Sequence, residues 1–147
     1  MIVLISALRA NTNANLAAVR VKDYATQGDM GGGLFVKIDS DLGSADDGGS
    51  IIVDAGGRRW YRDMSSRVLS LRHFGVVPED GVSSPTDQST QIQKWIDKVG
   101  SLPGVVGVAD EGTYGIGSTI NFGNGTTTSF STACNGSTFI WKGMGAA

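Results

Sequence analysis

Apolar residues in this chain come in short runs set apart by glycine and small polar residues. That is the spacing of many brief strands, not of long helices. Ala17 to Val21 predicts a short strand, and Leu34 to Ile38 predicts the strongest one, with Phe35 facing opposite to Leu34 and Val36. Ser50 to Val53 returns as a strand. Ala55-Gly56-Gly57 then turns the chain into Arg58 to Arg62, where Trp60 points inward and Arg59 and Tyr61 outward. Gly28 to Gly33 is a turn that a glycine-rich backbone makes at low steric cost. Met1 to Ile5 predicts a short strand, or a first turn packed on a partner. These strands can form only a small sheet or barrel-like module, marginal on its own.

One segment breaks the pattern. Ile92, Trp95, Ile96 and Val99 fall at i, i+3, i+4 and i+7, a single apolar stripe. The spacing predicts a helix from about Thr86 to Val99, with Ser84 as N-cap, Pro85 at the first helical position and Gly100 as its left-handed terminator. Asp80-Gly81 ahead of it reads as a tight turn. Val68 to Leu71 predicts a short strand or swapped arm. Tyr114 to Ile116, Thr119 to Phe122, Thr127 to Phe130 and Thr138 to Trp141 follow as Gly-punctuated strands.

The chain has 147 residues, room for one domain or two small ones, and 22 glycines, which fits frequent tight turns. A net charge of −2 supplies no drive toward nucleic acid. Arg58, Arg59 and Arg62 are flanked by Asp54 and Asp63, and read as a solvated turn and strand edge. Cys134 is alone, so no internal disulfide can form. The apolar start is five residues long without a basic flank, neither a secretion signal nor a membrane span.

Candidate chemistry is sparse. Glycoside hydrolysis needs two carboxylates on one site. Asp46-Asp47 and Asp110-Glu111 precede glycines, and with Asp39, Asp41, Asp54 and Asp80 they read as turn and solvent residues. Asp39 to Gly43 begins like a calcium loop but lacks its later ligands. His73 is the single histidine and reads as a packing or hydrogen-bonding residue, with no partner for a zinc site. Trp60 and Trp95 read as core residues rather than sugar platforms. No catalytic residue, metal site or cofactor is expected.

Two blocks resemble a known family. His73-Phe74-Gly75-Val76-Val77-Pro78-Glu79-Asp80-Gly81, the helix through Trp95, and Gly112-Thr113-Tyr114-Gly115-Ile116 resemble the start of a pectate-lyase-like right-handed β-helix of phage tailspikes. Tyr24 to Asp29, Gly31 to Val36, Asp46 to Ile52 and Arg59-Trp60 resemble the small β domain that precedes it. The family pattern carries an acidic pair after the Asp-Gly turn, and here one of those positions is Gln88.

The resemblance implies a mainly β chain with two domains. Residues 1–66 would be a small β domain of the virion-attachment kind, and residues 67–147 the capped start of a right-handed β-helix. Asp80 and Gly81 would form its lead-in turn, and Ile92, Trp95, Ile96 and Val99 its cap. It also implies a structural part of a trimeric tailspike or tail fibre, made in the host cytoplasm and carried on the virion. The partners would be two further copies and a tail or adaptor protein. A longer parent would bind or cleave a bacterial surface polysaccharide.

Overall fold

The computed structural model describes residues 1–122, 132–134 and 137–141. They fall into two compact units. Met1–Ser66 with Arg72–Gly75 form the first, and the described residues of Arg67–Leu71 and Val76–Ala147 form the second.

The first unit is a five-stranded sheet. Its strands are β1 (Ile2–Leu4), β2 (Ala18–Asp23), β3 (Gly33–Lys37), β4 (Ile51–Val53) and β5 (Arg59–Arg62), in the order β1-β2-β3-β5-β4. β2 to β5 pair antiparallel, and β1 adds in parallel along β2. The strand alternation sorts the side chains by face. Val19, Val21, Phe35, Ile52 and Trp60 point to the buried side, where helix α1 (Ile5–Arg9) adds Ile5 and Leu8. Full burial of such a side chain contributes about 1.5–3 kcal/mol. The five residues of α1 have no capping side chain, so its stability comes from that contact.

Arg62 lies in the same layer and is only 5% exposed, which corrects the expectation of a solvated strand edge. Its guanidinium donates to the carbonyls of Gly49, Gly31 and Gly32 and stacks 4.7 Å from the Phe35 ring centroid. Three carbonyls from glycine-rich turns replace water around the charge. Those turns must be glycine. A Cβ on Gly32 would stand 2.1 Å from the Lys22 carbonyl oxygen, and one on Gly31 2.2 Å from that of Arg72.

The second unit is built of parallel strands that stack. β6 (Val68–Ser70), β7 (Val106–Ala109) and β9 (Thr132–Cys134) form one sheet; β8 (Gly112–Ile116) and β10 (Ser137–Trp141) form another. β7 pairs with β9 as Gly107↔Thr132, and β8 with β10 as Gly112↔Ser137. Both offsets are 25 residues (132 − 107 and 137 − 112), so one coil advances by that length. This is the stacking of a parallel β-helix, and the chain is mainly β, as the sequence predicts.

Helix α2 spans Ser89–Ser101 with Gln88 at its N-cap, four residues after the predicted Ser84, and runs past Gly100 at its end. The residues just before it meet β8 instead. Asp87 bridges Gly115 in parallel, and the Gln88 N–H donates to the Gly115 carbonyl. A proline fits an extended segment as well as a first helical turn. Thr119 to Phe122 forms no strand. The Gln93 amide takes up the Asn121 backbone, accepting its N–H at 2.8 Å and donating to its carbonyl at 3.0 Å. Thr127 to Phe130 lies outside the described residues.

Candidate functional site

The carboxylates of the first unit act as acceptors that shape loops. Asp29 takes the N–H groups of Tyr24, Ala25, Thr26 and Gly31 at 2.7–2.9 Å. Asp47 takes those of Gly49, Ser50 and Ile51, and Asp46 takes those of Gly48 and Val53 plus a two-point pair from Arg9. Asp54 is buried, not solvent-facing. It accepts from Trp60 Nε1 at 2.9 Å, from Arg58 and from Asn11. Burial pushes the Asp54 carboxyl up, and the Trp60 and Arg58 hydrogen bonds more than reverse this, holding it below the usual carboxylate range. Burial and Arg9 oppose each other at Asp46 with the same outcome. None of these groups is left free to hand a proton to a substrate.

Asp41, in the calcium-like segment, accepts from Gly43, Ser44 and the Tyr61 hydroxyl. Among the described residues no group of three or more His, Cys, Asp or Glu is placed to hold a metal ion. His73 is half-buried; burial and the neighbouring Arg62 charge push its imidazole down to about 3. It stays neutral at physiological pH. An open cavity of about 310 Å³ beside the start of α2 is lined by Ser89, Thr90, Gln93, Lys94, Ser118 and Thr119. Ser89 and Gln93 already spend their polar atoms on Gly117, Ser118 and Asn121.

The open feature of the first unit is the other face of its sheet. β2 presents Ala18, Arg20 and Lys22 there, all exposed. β3 and the residue after it present Leu34, Val36 and Ile38, with Val36 39% and Ile38 37% exposed. Val3 of β1 is 56% exposed beside Lys22, as the Ile2↔Val21 and Leu4↔Asp23 register requires. Arg20 stands opposite Leu34 and Ala18 opposite Val36. At the β5 side the face is closed by the loop at Asp41 and Ser44, held by Tyr61 and by Arg59 donating to the Ser44 carbonyl. Sequence reading found the β3 part of this face. It missed Arg20 and Lys22 because it looked for cations in the Arg58 cluster.

In the second unit Ile92, Trp95, Ile96 and Val99 are brought together on one buried face of α2. Trp95 donates its indole N–H to the Leu69 carbonyl of β6 at 2.7 Å. Its ring lies on Gly107 of β7, where a Cβ would come within 2.6 Å of Cζ2. Asp80 and Gly81 do form a turn, Gly81 with φ of +73°, and Asp80 accepts the Thr113 N–H at 2.9 Å. Gln88 explains its departure from the family pattern. Its Oε1 accepts the Val77 N–H at 2.9 Å and its Nε2 donates to the Val77 carbonyl at 3.0 Å. An ionised carboxylate cannot make the second bond.

Comparison with known proteins finds a domain match and a shared fold. Residues 2–65 match the family described as the phage tail protein small four-stranded beta-sheet domain. β2 to β5 are four such strands, with β1 in parallel beside them. No curated protein matches the chain. Solved structures share its fold. Tailspike protein 2 of an Escherichia coli O157:H7 bacteriophage is 20% identical with a TM-score of 0.59, over 78% of this chain and 14% of its own. Pantoea stewartii WceF, described as a glycan biofilm modifying enzyme with a tailspike-like parallel β-helix fold, is 22% identical with a TM-score of 0.71, over 97% of this chain and 22% of its own. Tailspike gp49 of Acinetobacter baumannii bacteriophage Fri1, a capsular polysaccharide depolymerase, is 21% identical with a TM-score of 0.66, over 80% and 21%. This chain therefore spans about a seventh to a fifth of their lengths. Residues 2–65 thus match a phage-tail domain, and the chain shares its fold with tailspike-like structures. No helix among the described residues is long and apolar enough to cross a membrane.

Proposed function

We propose that this chain is the attachment end of a homotrimeric tailspike or tail fibre that serves host adsorption. The first unit docks on a tail or adaptor protein of the virion. The second starts a β-helix, and α2 caps it by laying Ile92, Trp95, Ile96 and Val99 over the first rungs, so that no open edge is left for stray pairing. The observation that carries this reading is the match of residues 2–65 to a phage-tail domain, on a unit whose sheet keeps one face open. The chain itself does not cleave glycans, since Asp29, Asp41, Asp46, Asp47 and Asp54 are bound into loops. A longer parent protein would bind or cut a bacterial surface polysaccharide beyond these residues.

The test is assembly. The full 147-residue chain should bind tails purified without their spikes, and compete there with the parent spike. Sedimentation should show a trimer. Release of reducing ends from capsule or lipopolysaccharide by the chain alone would overturn the structural reading, and failure to bind spikeless tails would overturn the attachment role.

A further inference from the structure

The first unit holds eight cations: Arg9, Arg20, Lys22, Lys37, Arg58, Arg59, Arg62 and Arg72. Six have partners within the unit. Arg9 pairs with Asp46, Lys37 with Asp39 and Arg58 with Asp54. Arg59, Arg62 and Arg72 donate to backbone carbonyls. Arg20 and Lys22 have no partner among the described residues, and both stand on the open sheet face. They are two residues apart on β2, so their side chains leave the sheet about 7 Å from each other. Apolar strips flank them, Val3 on one side and Leu34, Val36 and Ile38 on the other. Of the acidic residues at the margin, Asp63 is turned to the N–H and hydroxyl of Ser65, and Asp39 pairs with Lys37.

Resting on the docking role above, we infer that this face is read by a virion protein whose apolar surface carries two carboxylates facing Arg20 and Lys22. A cationic ridge between apolar strips suits such a partner for two reasons. The stems of Arg and Lys lie along apolar surface and add to it. Their charged heads, meeting carboxylates as water is excluded, fix register and speed encounter, while like charge is rejected. A second copy of this chain is a poor occupant, because it would bring its own Arg20 and Lys22 to the contact. Docking is then sensitive to salt through these two residues, not through the Arg58 cluster, whose guanidinium groups are already engaged by Asp54 and by backbone carbonyls.

The experiment uses the full chain and spikeless tails. Wild type, Arg20→Glu with Lys22→Glu, Arg20→Lys with Lys22→Arg, and Lys94→Glu as a control on the second unit are compared by equilibrium binding. Salt is varied from about 0.05 to about 0.5 M, across which the Debye length falls severalfold. Wild type should weaken as salt rises. The double reversal should bind at least about tenfold more weakly at low salt and lose that salt dependence. The charge-conserving exchange and Lys94→Glu should bind within about twofold of wild type. Near-UV circular dichroism confirms folding, which exposed residues should not disturb. If wild type does not bind tails, both the docking role and this inference fall. If it binds and the double reversal binds equally well, the inference alone falls. It also falls if the reversal changes the sedimentation of the chain by itself, because the face is then a contact between copies.

Discussion

Trp95 and Gly107 offer a sharp test of how α2 is held on the coils. Trp95 is 2% exposed, bonds the Leu69 carbonyl at 2.7 Å and rests on Gly107. Trp95→Phe removes the indole N–H and Cζ2, and the lost donor should cost about 1–3 kcal/mol. Gly107→Ala places a methyl 2.6 Å from Cζ2 and 3.1 Å from Val99 Cγ2. Overpacking of this kind costs about 1–3 kcal/mol. The Phe ring vacates the place the methyl needs. The double variant should therefore cost less than the sum of the singles, by about 1 kcal/mol or more. Urea unfolding of all four chains, followed by tryptophan fluorescence and far-UV circular dichroism, measures the cycle. In a unit of this size 1 kcal/mol moves the thermal midpoint by about 4–8 °C, which is easily resolved. Singles that add to within about 0.5 kcal/mol would refute the contact, and a mild Trp95→Ala, expected to cost about 3–5 kcal/mol, would refute the burial.

Gln88→Glu should destabilise by about 1–3 kcal/mol near neutral pH, because it keeps the acceptor for Val77 N–H but sets a carboxylate against the Val77 carbonyl. The gap to wild type should narrow as pH falls below about 4–5, where the protonated acid regains a donor; a gap constant with pH refutes the two-point clasp. In the wild-type chain, stability should fall with pH in two stages. His73 has its folded pKa near 3 and an unfolded one near 6.5, so the unfolded chain binds the extra proton and stability is lost as pH drops below about 6.5. Asp29, Asp46 and Asp54 are held low in the folded state, so their contribution is present above about pH 4 and lost as pH falls further. His73→Asn should abolish the first stage and leave the second, read from urea midpoints across pH.

What the sequence made legible was whatever repeats or alternates locally. Phe35 and Trp60 point inward because two-residue alternation dictates it, and the four apolar residues of α2 share a face because they are spaced to do so. What it hid was set by distant backbone. Arg62 reads as a surface charge until Gly31, Gly32 and Gly49 supply carbonyls from two separate turns. Pro85 reads as a helix start until Gly115 offers a rung to the chain beside it. The five residues of α1 carry too short a period to register, and Ile5 and Leu8 become helical by packing. The open sheet face was half legible. Alternation put Leu34 and Val36 on one side, but that Arg20 and Lys22 lack partners among the described residues follows only from the folded arrangement of the acids around them.

The segment from Val77 to Gln88 has a practical meaning beyond folding. Its base is fastened by one side-chain amide, by Glu79 accepting the Thr86 N–H at 2.6 Å and by the Glu79 N–H on Thr113, while residues 80–84 between are exposed. The rungs on either side do not depend on how many residues the arc contains. Lengthening it costs only loop-closure entropy, about 0.6 kcal/mol for each doubling. Ser83-Ser84 is thus a port where a peptide tag or fluorophore-bearing insert can be spliced into the chain without disturbing the coil that follows.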